Sequence, residues 1–309
     1  METSTRARRL GGRSGERAVG VGLIVVSAAA FGTLPVFAKV AYAAGAEPGA
    51  VLLGRFAIGG VAMLAIMRLG GHRFPRGRLL GGLALMGAIG YVAQSVTYFS
   101  AASLISAGLT SLLFYVYPAL VVVLAAAFLH QRLTPVKIAA LGVALLGTAL
   151  TIGATGGGQP LGVALGLASG LSYATYIVIG SRITPHVGAI PASTVIVLSA
   201  CAVYAAAALA LRPAFPQATS GWVALVGVAL VGTVVSVVTF FAGLQRVGPS
   251  DASTLSTLEP VVTVVLAAAV LGERIAGAQL VGGGLILAAV VVLARAGPER
   301  FVPQEGPPA

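Results

Sequence analysis

The chain has 309 residues, of which 58% are hydrophobic and only 9% charged, with a mean hydropathy of +0.99. Soluble domains carry about a quarter charged residues, so this composition excludes a water-soluble globular protein and points to a lipid bilayer. The formal charge of +11 comes from basic residues that lie between apolar runs without interleaved aromatics, which excludes nucleic acid as a partner, and the single Cys201 excludes an intramolecular disulfide.

In chain order, a basic tail over 1–17 carries Arg6, Arg8, Arg9, Arg13 and Arg17 and leads into an apolar run of spanning length. Because that run continues into further spans, it reads as an uncleaved first helix rather than a signal peptide. A spanning helix needs about 20 apolar residues. Breaks rich in Gly, Pro and polar residues divide the chain into ten predicted spans: 18–43, 48–68, 79–101, 105–129, 134–152, 160–180, 188–211, 221–244, 251–272 and 275–294. A tail over 295–309 follows.

Charge supports this count, because cytoplasmic loops of multispan proteins collect Lys and Arg. With both termini cytoplasmic, 15 basic residues fall inside and only Arg212 and Arg274 outside, while Lys39 and Arg55 lie within spans. The expected location is therefore the cytoplasmic (inner) membrane, with both ends facing the cytoplasm.

The chain also repeats itself. A shift of 142 residues lays SLLFYVYPALVVVLAAAFLHQR (111–132) on STLSTLEPVVTVVLAAAVLGER (253–274), with 11 of 22 positions identical, and Pro118 falls on Pro260. The same shift lays 90–99 on 232–241 and Phe31 on Tyr173. A register shared across separate helices marks two copies, 18–152 and 160–294. Five spans per copy is an odd number, so the copies must be inverted in the membrane. Inverted repeats recur in secondary transporters, where the two halves exchange conformations around a central site.

The Glu-Pro within an apolar helix, followed by LAAAVLGERI and AQLVGGGLILAAVVV, resembles the last two helices of EamA-type transporters of the drug/metabolite transporter superfamily. The likeness runs from Val19 to Ala296. In the first copy Tyr117-Pro118 stands for Glu-Pro and His130-Gln131-Arg132 for Gly-Glu-Arg, so a role of the family's Glu does not transfer there. The resemblance implies an all-α fold of ten transmembrane helices in two inverted five-helix repeats. It also implies export or import of small metabolites, amino acids or drugs, often by proton exchange.

Glu259 is the one acidic side chain deep in a span. A mid-membrane carboxylate costs about 2.5–3.5 kcal/mol on insertion scales, so it should face protein or water. Ser256 and Thr263 share its helical face, and Pro260, without an N–H, frees the carbonyl of Ser256 and bends the helix. This set can serve a proton, a cation or a substrate amine; alternatively, a protonated Glu259 fixes packing against a neighbouring helix. Arg55 can bind a substrate carboxylate or phosphate through its planar fork, or it can snorkel or pair with a helix C-terminus. Gln94 and Tyr98 lie on a polar stripe of the third span with Tyr91 and Thr97, and the eighth span answers with Thr233, Ser236, Thr239 and Phe240. Such stripes suit a wet cavity wall or plain interhelical hydrogen bonding. The repeat projects Tyr117, Tyr173 and Phe31 toward the same region.

The expected substrate or coupling-ion residues are thus Glu259, Arg55, Ser256, Thr263, Gln94, Tyr98, Tyr117 and Tyr173. Gly162, Gly166, Gly170 and Ala174 form a small-residue packing face on the sixth span. No catalytic residue, metal site or cofactor is expected: His72, His130 and His186 lie far apart in connections, and the 153–158 break lacks the lysine of a P-loop. The expected partners are the bilayer, a small-molecule substrate and protons. The predicted activity is secondary active export by alternating access, with Glu259 releasing its proton toward the cytoplasm as substrate passes the other way. An uncoupled uniporter or a lipid-linked sugar flippase is the alternative. An intramembrane enzyme would need a nucleophile or a paired acid and base, and a scaffold would need an output domain.

Overall fold

The computed structural model describes residues 2–129, 134–154, 159–183, 187–247, 252 and 255–295. His130, Gln131, Arg132, His186, Asp251 and 296–309 lie outside the described residues, as does most of the glycine-rich 153–158 break. The described residues form helices and no strand. Ten apolar helical segments succeed one another among the described residues, eight of them long enough to cross a membrane: span 1 (Glu16–Ala43), span 2 (Pro48–Leu69), span 3 (Arg78–Leu104), span 4 (Ala107–Phe128), span 5 (Pro135–Ile152), span 6 (Pro160–Gly180), span 7 (Ala189–Leu211) and span 8 (Thr219–Leu244), followed by two shorter ones, span 9 (Leu258–Leu271) and span 10 (Gly277–Leu293). The first helix begins well before span 1, at Glu2.

The outer faces carry Val61, Leu145, Leu161, Val223 and Leu280, each more than half exposed. Lipid tolerates such a surface, but it leaves no water to satisfy polar groups, so hydroxyls inside the bundle turn back to carbonyls. Ser27 donates to Ser236 O at 2.7 Å, Thr151 to Gly147 O at 2.8 Å and Ser169 to Gly166 O at 2.7 Å.

Packing follows the repeat. Span 1 packs on span 8 as span 3 packs on span 6, while span 2 meets span 7, span 4 meets span 9 and span 5 meets span 10. Exchanging the halves returns the same list of pairs, which is the signature of a pseudo-twofold axis relating them. Close crossings rest on glycine: a Cβ on Gly147 of span 5 would stand 2.6 Å from Gly282 O of span 10. The Gly162, Gly166 and Gly170 face of span 6 packs against Ile105, Leu113 and the backbone at Phe114, as the small-residue pattern predicts.

Irregular helix also repeats. Span 3 contains a π-helical turn at Met86–Tyr91, and span 8 has one at Leu230–Val235. The 142-residue shift carries Tyr91 onto Thr233, so the two turns overlap in the repeat. Span 4 breaks at Tyr115 and Val116 and span 9 at Thr257, again equivalent positions. The breaks precede Pro118 and Pro260, which sit in the first turn of the helices that follow. Pro260 thus does not bend a continuous helix. Proline disfavours α conformation in the residue before it and is tolerated where the first helical N–H groups have no partner anyway. One break is not shared. Span 1 is interrupted at Thr33, two residues before Pro35, whereas Ile177, the counterpart of Pro35, lies in an unbroken helix.

Candidate functional site

The helix breaks and the π turn of span 3 border a cavity of about 440 Å³. Its wall is made largely of repeat-equivalent pairs: Phe31 with Tyr173, Leu34 with Tyr176, Arg55 with Val197, Tyr98 with Phe240, Phe114 with Ser256, and Tyr117 with Glu259. The cavity therefore straddles the pseudo-twofold axis. Among the eight residues singled out in the sequence, Glu259, Arg55, Ser256, Gln94, Tyr98, Tyr117 and Tyr173 line it. Thr263 does not: its hydroxyl donates to Gly32 O at 2.9 Å and to Glu259 O at 3.1 Å, so it ties span 9 to span 1.

The carboxyl of Glu259 is half-buried and lies 3.2 Å from the Tyr115 hydroxyl. That hydroxyl also donates to Ser256 O, the carbonyl that Pro260 leaves without an amide partner. Tyr115 thereby satisfies the acceptor freed by the break and touches the carboxyl beyond it. No cation forms an ion pair with Glu259 among the described residues. Its titratable neighbours are Tyr98, Tyr115, Tyr117 and Tyr173, from spans 3, 4 and 6.

Arg55 is 3% exposed. Its Nε donates to Thr233 Oγ1 at 2.9 Å and its Nη2 to Tyr91 Oη at 3.2 Å. Tyr91 and Thr233 are the repeat-equivalent residues of the two π turns, so one guanidinium holds both. Thr233 in turn donates to Val228 O at 2.9 Å, a carbonyl five residues back that the π turn exposes. A guanidinium has five N–H groups; two are used here, and the rest find no protein acceptor among the described residues. The rings of Phe56, Phe99 and Tyr91 lie 5.2, 5.3 and 5.9 Å from its carbon. Cation–π contacts are worth about 0.5–2 kcal/mol each, and a buried ion costs several kcal/mol, so the rings offset only part of the cost of this charge.

An aromatic belt joins the two ionisable groups. Tyr91 meets Tyr176 at 5.8 Å, Tyr176 stacks on Tyr173 at 5.9 Å, and Tyr173 meets Tyr117 edge-on at 4.8 Å. Tyr117 leads to Tyr115 at 5.6 Å, which reaches Glu259. The amide of Gln94 lines the same space and makes no hydrogen bond among the described residues. Three other polar residues of the two stripes bond their own helices instead: Thr97 to Ala93 O, Thr239 to Val235 O and Ser236 to Thr233 O.

Sequence reasoning missed Tyr115, Phe114 and Tyr176. In an unbroken helix Tyr115 and Tyr117 would face nearly opposite ways, and only the break before Pro118 turns both onto the cavity. The proline carried that signal.

The cavity is lopsided. Beyond the paired residues its wall takes six from the second repeat, Ile177, Ser193, Ile196, Val237, Phe241 and Leu244, and three from the first, Tyr91, Gln94 and Tyr115. The first-repeat counterparts of the six, Pro35, Val51, Gly54, Ser95, Phe99 and Ala102, are buried, as are Thr233 and Ser236, the counterparts of Tyr91 and Gln94.

A family model described as the EamA-like transporter family matches residues 18–153 and again 160–295. The chain belongs to the EamA-like transporter family. Among relatives of this EamA-like chain, an uncharacterized transporter of Bacillus subtilis, YcbK, is 25% identical over 87% of the chain and 90% of its own length. The uncharacterized inner membrane transporter YedA of Escherichia coli is 26% identical over 77% of the chain and 79% of its length. The uncharacterized transporter sll1319 of Synechocystis is 27% identical over 62% of the chain, and the match spans 60% of that protein. A solved crystal structure shares the fold, with a TM-score of 0.65, 23% identity and coverage of 92% of this chain and 98% of its own. This EamA-like protein is accordingly an integral multi-pass membrane protein of ten helices in two inverted repeats.

Proposed function

We propose that the protein is a secondary transporter that exports a small metabolite from the cytoplasm by alternating access, coupled to protons through Glu259. It works as a carrier and not as an enzyme. The observation that supports this reading is the asymmetry of the cavity: six unpaired wall residues come from the second repeat against three from the first, and the counterparts of the six are packed shut. Two inverted halves can exchange these arrangements, which closes one side and opens the other. The six residues lie toward the ends of spans 6 and 8 and the start of span 7, the side that the arginine distribution assigns to the cytoplasm. With both termini in the cytoplasm of an inner-membrane protein, the cavity loads from within the cell.

Glu259 supports coupling because it is a carboxyl on the cavity wall with a phenol and no cation as its partner. The side to which the cavity opens then decides where its proton is exchanged. Metabolite profiling of cells with and without the protein names the cargo, as a compound retained inside when the protein is absent. In proteoliposomes, a pH gradient should drive accumulation of that cargo by the wild-type protein, and Glu259→Gln should abolish gradient-driven accumulation while exchange continues. Accumulation by the variant with unchanged pH dependence would exclude the coupling role.

A further inference from the structure

We infer that Arg55 is the anchor for an anionic group of the cargo, and that the cargo is a carboxylate on a small aromatic or apolar body. This rests on the central cavity being the transport site proposed above.

Three observations lead there. Arg55 is 3% exposed, lines the cavity and has no carboxylate partner among the described residues. Its two hydrogen bonds go to hydroxyls, which orient the guanidinium without cancelling its charge and leave three N–H groups for an anion. The rest of the wall is mainly aromatic and aliphatic, with Phe31, Tyr117, Tyr173 and Phe240 available to a flat apolar body.

The position of Arg55 in the repeat gives the anchor a reason to be there. Its partners Tyr91 and Thr233 are equivalent residues of the two halves, so the guanidinium sits where the halves meet. When the halves exchange conformations, each partner takes the other's role and the anchor stays on the axis. An anion bound there faces the open side in either state without leaving its cation. Glu259, on span 9, has Tyr115 as its hydrogen-bond partner and bridges no such equivalent pair. The arrangement therefore divides the work, with the cargo's charge on the axis and the exchangeable proton to one side.

Calorimetric titration of the purified full chain in nanodiscs tests this with three probes of one shape: phenylacetate, phenylacetamide and 2-phenylethylammonium. Phenylacetate should bind at least tenfold more tightly than the amide or the amine, and Arg55→Gln should remove that preference. Val61→Ala, on the outer face of the same span and away from the cavity, should keep it. Arg55→Lys guards against a misfolded Gln variant, since it retains the charge and should bind phenylacetate more weakly while still preferring it to the amide. Equal binding of acid and amide by the wild-type protein, preference for the amine, or unaltered phenylacetate binding in Arg55→Gln would each overturn the anchor. Arg55-dependent binding in a protein whose transport ignores Glu259→Gln would overturn the coupling and leave the anchor standing.

Discussion

At the scale of single residues, Tyr115 shows how a helix break is made stable in lipid. The break frees Ser256 O, and no backbone amide is left to take it. The Tyr115 hydroxyl from the facing repeat does so instead. Tyr115→Phe should therefore lower stability by about 1–3 kcal/mol, the cost of an unsatisfied buried acceptor. Tyr117→Phe removes a hydroxyl that makes no hydrogen bond among the described residues, and it should cost less than about 0.5 kcal/mol. Denaturant unfolding in micelles, read by far-ultraviolet circular dichroism, separates the two. Glu259 and Arg55 were legible in the sequence because ionisable groups inside spans are expensive and therefore conspicuous. Tyr115 was not, because its orientation depends on a local break and its bond on a residue 141 positions away.

At the scale of elements, glycine sets how closely helices cross. Gly147 of span 5 lies against Gly282 O of span 10, whereas a Cβ at Gly142, also in span 5, would meet nothing within 4 Å. Gly147→Val should force spans 5 and 10 apart and lower stability by about 1–3 kcal/mol, as overpacking does. Gly142→Val adds a methyl-bearing side chain to a lipid-facing position and should leave the melting temperature unchanged. Gly32 has a sharper role, since a Cβ there would stand 2.8 Å from Glu259 O, in the interface that Thr263 also ties. Hydrophobic run length revealed the spans. It did not reveal the π turns, because a π turn differs from an α turn by one residue and leaves composition unchanged.

At the scale of the whole molecule, alternating access predicts a reversal of which half is reachable. In a Cys201→Ala background, Phe241→Cys lies on the open wall and Phe99→Cys, its repeat counterpart, is fully buried. A membrane-impermeant maleimide added from the open side should label the first and spare the second in the state described here. Conditions that drive the protein to the opposite state should protect Phe241→Cys and expose Phe99→Cys to reagent from the other face. Labelling that never changes with state would remove the exchange of halves from the mechanism.

The repeat, the ten spans and the membrane setting could be read from one dimension, because each is a matter of run length, composition or register along the chain. So could the expense of Glu259 and Arg55. What only the tertiary structure decided is which polar residues meet. Helical spacing put Thr263 beside Glu259, but packing turned its hydroxyl to span 1. Spacing ranked the stripes of spans 3 and 8 alike, yet Gln94 reached the cavity while Thr97 and Thr239 bonded their own backbones. Arg55 appeared as a lone charge, and only the crossing of spans 2, 3 and 8 brought it to equivalent residues of both halves. The physical reason is common to all three: a sequence fixes what a hydroxyl or guanidinium can bond, and the neighbouring helix decides which of those bonds is within reach.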